Sequence, residues 1–100
     1  MSDSSLRPDD FVGPVLTAGD ASGAVIHAIR ALNPGAEIRD RGAYLRVQVL
    51  RRCVVTKAAI EKALGRPFRL PGDLESLMPA FKGRFRVSED EASWSFEEAS

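Results

Sequence analysis

The sequence predicts an α+β fold: a small single-domain sandwich of antiparallel β-strands with two or three helices, in the order β-α-β-β-(β)-α-α-β-β. Three observations carry this prediction. Apolar and polar residues alternate over 43–49, 81–87 and 92–96, the period of half-buried strands. Two stretches, 21–32 and 57–64, repeat apolar residues at helical spacing between capping and breaking residues. The chain has 100 residues, enough for one hydrophobic core. Hairpins with helices grouped against one side form a layered sandwich.

Residues 1–10 carry almost no apolar surface to offset their ordering entropy, so they read as a flexible N-terminal tail before a domain at 11–97 and a short end at 98–100. Residues 11–18 are an apolar run suited to a strand. Pro14 has no N–H to donate, which places that strand at a sheet edge or gives it a bulge. Asp20 or Ser22 then caps a helix over 21–32, with Val25, Ile26, Ile29 and Leu32 on one face. Asn33-Pro34-Gly35 ends it.

Residues 37–40 and 43–49 read as a hairpin around Arg41-Gly42. In its second strand Leu45, Val47 and Val49 point one way, and Tyr44, Arg46 and Gln48 the other. A further short strand is expected at 53–55. Thr56 caps a helix over 57–64 with Ile60 and Leu64 on the buried side, and Gly65 and Pro67 stop it. Asp73 caps a short helix over 74–78, ended by Pro79. Two strands close the chain. Phe81, Phe85 and Val87 share one face, opposite Lys82, Arg84 and Arg86. Ala92, Trp94 and Phe96 share a face of the last strand.

Composition removes whole classes of function. The chain has one Cys and one His, too few for an internal disulfide, a tetrahedral zinc site or an iron–sulfur cluster. His27 is the sole imidazole available to activate a nucleophile, and Cys53 lies in an apolar stretch where it packs as a small hydrophobe. No two glycines are spaced as G-x-G, so no phosphate-cradling loop is written in the chain. The formal net charge is zero, which gives no general attraction to nucleic acid or to an anionic membrane. No stretch is long and apolar enough to span a membrane, and the polar N-terminus lacks the order of a signal peptide, so a cytoplasmic protein is expected. The charge is unevenly placed. Residues 51–69 hold six basic groups against Glu61, and residues 70–100 hold seven acidic against three basic, a bipolar distribution suited to oriented docking.

Five segments in order resemble one family. They are Val12-Gly-Pro-Val-Leu-Thr-Ala-Gly-Asp20, Asn33-Pro-Gly35, Asp40-Arg-Gly-Ala-Tyr-Leu-Arg-Val47, Leu64-Gly-Arg-Pro-Phe68 and Phe81-Lys-Gly83. Together they resemble the effector (regulatory or coupling) proteins of soluble diiron multicomponent monooxygenases, most nearly those of toluene and related aromatic monooxygenases. The resemblance implies a non-catalytic subunit that binds no cofactor or metal of its own. It implies docking on the diiron hydroxylase, reshaping of its active site, and coupling of electron delivery and oxygen activation to hydroxylation, together with a Rieske ferredoxin and a reductase. Carried over position by position, the hydroxylase-facing residues are Leu77, Met78, Pro79, Ala80 and Phe81, before the matching Gly83, with Arg66 and Tyr44 as further candidates. Leu77 and Phe81 fit a core role equally, Arg66 also fits the cation at a helix C-terminus, and Tyr44 either presents its hydroxyl to the partner or packs as an amphipathic cover. A second reading is a small sheet-based regulatory module that binds a metabolite or RNA, suggested by the basic strand at 82–86.

Overall fold

The computed structural model describes residues 10–96. The expected tail over 1–9 and the end at 97–100 lie outside the described residues. The elements are β1 (Phe11–Thr17), α1 (Asp20–Leu32), β2 (Glu37–Asp40), β3 (Tyr44–Leu50), β4 (Arg52–Thr56), α2 (Lys57–Leu64), α3 (Gly72–Leu77), β5 (Ala80–Lys82), β6 (Arg84–Val87) and β7 (Glu91–Ser95). They form two antiparallel sheets, β2-β3-β1-β5 and β4-β7-β6. The α+β class agrees with the sequence, as does the order of the elements through α3; three strands, where two were expected, close the chain. No helix among the described residues is long and apolar enough to cross a membrane.

Pro14 does not mark an edge. Its strand, β1, lies between β3 and β5. The proline is accommodated by an interruption, with no bulge: β1 pairs with β3 at Phe11↔Leu50 and Val12↔Val49, then again from Val15↔Arg46 in the same register, so Gly13 and Pro14 are skipped. A residue without an N–H sits where the ladder does not ask for one.

The single strand expected over 81–87 is two strands in different sheets. The chain leaves the first sheet at Gly83 (φ 104°) and enters the second at Arg84. A Cβ there would lie 2.8 Å from Val12 Cγ1 and 2.9 Å from the Ser95 carbonyl oxygen. Glycine is the residue that permits both this conformation and this approach. The other crossing between sheets is Arg51 (φ 66°). Its N–H donates to the Asp10 carbonyl and its own carbonyl accepts from Phe96 N–H, both at 2.7 Å. Its guanidinium lies 3.9 Å from Asp10 Oδ2 and over the Phe96 ring. Asp10, assigned by the sequence to the tail, is therefore a buried part of the domain.

One core joins the layers. Val12, Leu16, Val47 and Val49 from the first sheet meet Cys53, Val55, Ala92 and Trp94 from the second, with Val25, Ile29, Ile60 and Leu74 from the helices. Each fully buried Leu or Ile contributes roughly 1.5–3 kcal/mol of transfer free energy. In α1 the cap is Gly19, and neither Asp20 nor Ser22 caps through its side chain. The buried stripe is Ser22, Ala24, Val25, Ala28 and Ile29, while Leu32 is exposed. The small residues of this stripe let α2 approach closely. Leu32 is the last residue of the helix, beyond that contact. Asn33 takes over from it: its amide nitrogen donates to the Ile29 and Val54 carbonyls, and its Oδ1 accepts from Val54 N–H. The side chain thus acts as a strand neighbour for β4 and covers its edge.

The expectations for α2 hold. Thr56 Oγ1 accepts from Ala59 N–H at 3.1 Å, and Gly65 closes the helix in the left-handed conformation. For α3 the start moves to Gly72. Asp73 lies inside the helix, and its carboxylate accepts from Arg69 N–H at 2.8 Å.

Candidate functional site

The two residues with nucleophile or base chemistry are kept apart by burial. Cys53 is fully buried on β4, and burial pushes its thiol up from 9.0 to about 12. A neutral thiol of that kind is not an activated nucleophile. His27 is exposed on α1. Among the described residues no group of three or more His, Cys, Asp or Glu is placed to hold a metal.

The feature with the form of a site is a surface. Residues paired across neighbouring strands share a face, so the registers assign one side of the first sheet completely. Glu37 and Arg39 lie opposite Gln48 and Arg46, Arg46 and Tyr44 opposite Val15 and Thr17, and Val15 opposite Ala80, with Lys82 opposite Gly13. The other side, with Val12, Leu16, Val47 and Val49, faces the core. Thr17, Glu37, Arg39, Tyr44, Arg46, Ala80 and Lys82 are all exposed. The result is an open, twisted face with three cations and one carboxylate, and an aromatic ring at one end.

The structure separates the seven candidate residues. It brings Tyr44, 46% exposed, and Ala80 onto this open face. Phe81, 47% exposed, alternates to the other side of β5, where its ring lies tilted 5.3 Å from Phe85, which itself stacks 5.3 Å from buried Trp94. Its exposure removes the fully buried core role, although its ring still covers the edge of the core. Leu77 is half-buried, with its carbonyl 3.5 Å from Thr17 Oγ1. Pro79 is exposed, and Met78 packs into the core. Met78 therefore presents little surface to a partner. Arg66 belongs elsewhere. It follows α2 and lines an open groove with Asp20, His27 and Lys62, between α1 and α2.

The break at Gly83 also removes the basis for the RNA reading. A nucleic-acid sheet stacks bases on aromatics of neighbouring strands in one continuous surface, whereas Lys82 and Arg84 belong to different sheets. Arg46 and Lys82 are the surface residues that sequence reasoning passed over. The alternation in β3 did place Arg46 beside Tyr44. The pairing of β5 with β1, which brings Lys82 across, is non-local and left no pattern in the chain.

Comparison with known proteins closes the description. The MmoB/DmpM family pattern matches residues 10–95. Over 88 residues the chain is 47% identical to the effector subunit of the alkene monooxygenase system of Xanthobacter autotrophicus (strain ATCC BAA-1158 / Py2), with 86% of each chain covered. Its fold is similar to a chain in a phenol hydroxylase–regulatory protein complex, with TM-score 0.78 at 23% identity over 87% of this chain and 99% of that one. A chain of a second such complex gives TM-score 0.65 at 26% identity, over 84% and 99% of the two chains. The regulatory protein B of soluble methane monooxygenase gives TM-score 0.67 at 22% identity, over 96% of this chain and 71% of that one.

Proposed function

The chain belongs to the MmoB/DmpM family of monooxygenase effector subunits, and on that premise we propose that it docks on a diiron hydroxylase through the open face of its first sheet. In this reading it is a non-catalytic component. The iron belongs to the partner, and this chain contributes shape and charge. The observation that carries the docking site is the open face itself: one side of a four-stranded sheet, anchored by the core on its other side, with exposed Tyr44 and Ala80 and an excess of cations. A rigid sheet loses little conformational freedom on binding, so more of the contact energy remains for the partner.

A ligand shifts a conformational equilibrium only by its differential affinity for the two states. The effector therefore acts if the open face fits one arrangement of the hydroxylase surface better than the other. A preference of about 100-fold, roughly 2.7 kcal/mol, would shift a balanced equilibrium almost wholly to one state. We assign Tyr44 and Ala80 to the contact, with Leu77, Pro79 and Phe81 at its rim and Met78 packed in the core beside them in sequence. Arg66, on the α1–α2 groove, lies outside that contact in this reading. The same reading couples electron delivery from a Rieske ferredoxin and reductase to hydroxylation, in a cytoplasmic complex. The motif resemblance favours toluene-like aromatic hydrocarbons. The 47% identical relative serves an alkene monooxygenase. Both substrate classes offer a π bond to an activated oxygen.

The test is reconstitution of purified hydroxylase, ferredoxin and reductase with toluene or propene, with and without this chain. The expected result is that the chain raises both the rate of product formation and the product formed per NADH consumed. If both stay unchanged on both substrates, the reading fails.

A further inference from the structure

We propose that a recess in the open face receives a carboxylate side chain of the hydroxylase, an inference that rests on the docking reading above. The recess measures about 130 Å³. One water occupies about 30 Å³ of the liquid, so the space accepts an Asp or Glu head group. It lies where the β1–β3 ladder is interrupted. Gly13 (φ 146°) approaches so closely that a Cβ would stand 2.5 Å from the Val47 carbonyl oxygen. Val15, Arg46, Gln48 and Lys82 are among the side chains around it, and among the described residues no carboxylate lines it.

Arg46 carries the inference. The register sets it directly opposite Arg39, and like charges facing each other across a strand pair are destabilising. Arg39 is engaged: its Nε donates to Gln48 Oε1 at 3.0 Å, and its guanidinium lies 4.0 Å from Glu37. Arg46 makes no side-chain hydrogen bond or ion pair with any described residue. With Oε1 of Gln48 accepting from Arg39, the amide N–H2 of Gln48 remains as a donor. The recess therefore offers the Arg46 guanidinium, unpaired among the described residues, and an amide donor around a hollow of the right size, with the positive charge of Lys82 at its wall. A carboxylate would take charge-assisted hydrogen bonds there and relieve the Arg39–Arg46 repulsion. A partly enclosed site screens such contacts less than bulk water.

The experiment measures binding of the full chain to purified hydroxylase at low salt, with sodium acetate titrated into the free chain as a second arm. Arg46→Gln and Lys82→Gln should each weaken hydroxylase binding roughly ten-fold. Lys62→Gln, the same charge change in the α1–α2 groove away from the face, should alter binding less than about two-fold. The melting temperature of Arg46→Gln should be unchanged or higher, because the like-charge pair is removed. In the free chain, acetate should shift the amide resonances of Gly13, Val15 and Gln48 saturably, and chloride at equal ionic strength should not. Equal weakening by Lys62→Gln and Arg46→Gln would overturn the proposal in favour of diffuse attraction, as would identical responses to acetate and chloride. Normal binding by the Arg46 and Lys82 variants would overturn the recess and leave the docking reading intact. If the unmodified chain does not bind hydroxylase, both fall.

Discussion

The two sheets use the same strand chemistry for opposite ends. In the second sheet, β7 lies between β4 and β6, and Ala92, Ser93 and Trp94 are consecutive buried residues. Ser93 is a small residue at the centre of the outer side, paired with Val54 and Arg86, while Arg52, Arg84, Arg86 and Glu91 on that side are exposed. In the first sheet, β3 alternates strictly from Arg46 on: Val47 and Val49 are buried while Tyr44 and Arg46 are exposed. The enclosed side of the second sheet holds Trp94, the largest fully buried side chain, and anchors the fold. The first sheet gives one side to the core, and its open side carries an exposed aromatic ring, Tyr44, and a recess at the ladder interruption.

The sharpest way to break this contrast is to damage the enclosed side. Trp94→Ala removes the largest fully buried side chain and the ring on which Phe85 stacks. A loss of about 3–5 kcal/mol is expected, measured by urea unfolding, and stimulation of the hydroxylase should fall only as far as the folded fraction falls. A variant that remains stable yet fails to stimulate would move function into the second sheet.

On the open side the expected signature is the reverse. Ala80 is exposed at the edge of the first sheet, so Ala80→Trp should leave the melting temperature nearly unchanged. It should weaken stimulation roughly ten-fold, by holding the two surfaces apart at a well-packed contact. A large drop in melting temperature would instead place Ala80 in the core.

The smallest effect concerns Cys53. Burial raises its thiol to about 12 from 9.0. Above pH 9 the unfolded chain loses this proton while the folded chain keeps it, so the folded state binds more protons and stability falls as pH rises from about 9 to about 12. Cys53→Ala should flatten that part of the profile relative to the parent, as read by urea midpoints across the range. Parallel profiles would show that the thiol titrates alike in both states.

Much of this contrast was legible in the sequence, and the parts that were not share a cause. The caps of α2, the β2–β3 hairpin and the two faces of β3 follow from local rules: Thr56, Gly65 and a period of two. The exposure of Tyr44 was legible because it alternates with Leu45. What failed was non-local. Pro14 suggested an edge, yet β1 is central, because a skipped ladder position serves a missing N–H as well as an edge does. Gly83 reads as one glycine within an alternating strand, and only the approach of Val12 and Ser95 shows that the chain changes sheets there. Leu32 fits the apolar face of α1, but the stripe that packs is built on Ala24 and Ala28, whose small size matters only once α2 is beside them. Arg46 looked like an ordinary solvated cation until the register set it opposite Arg39.

The central claim is that the open face of the first sheet is the docking surface. Hydrogen exchange of the full chain, free and bound to purified hydroxylase, tests it most directly. The account predicts that bound hydroxylase slows exchange at residues 44–48 and 80–82 and leaves the α1–α2 groove around His27, Lys62 and Arg66 unchanged. Protection confined to that groove, with the sheet exchanging as in the free chain, would contradict it.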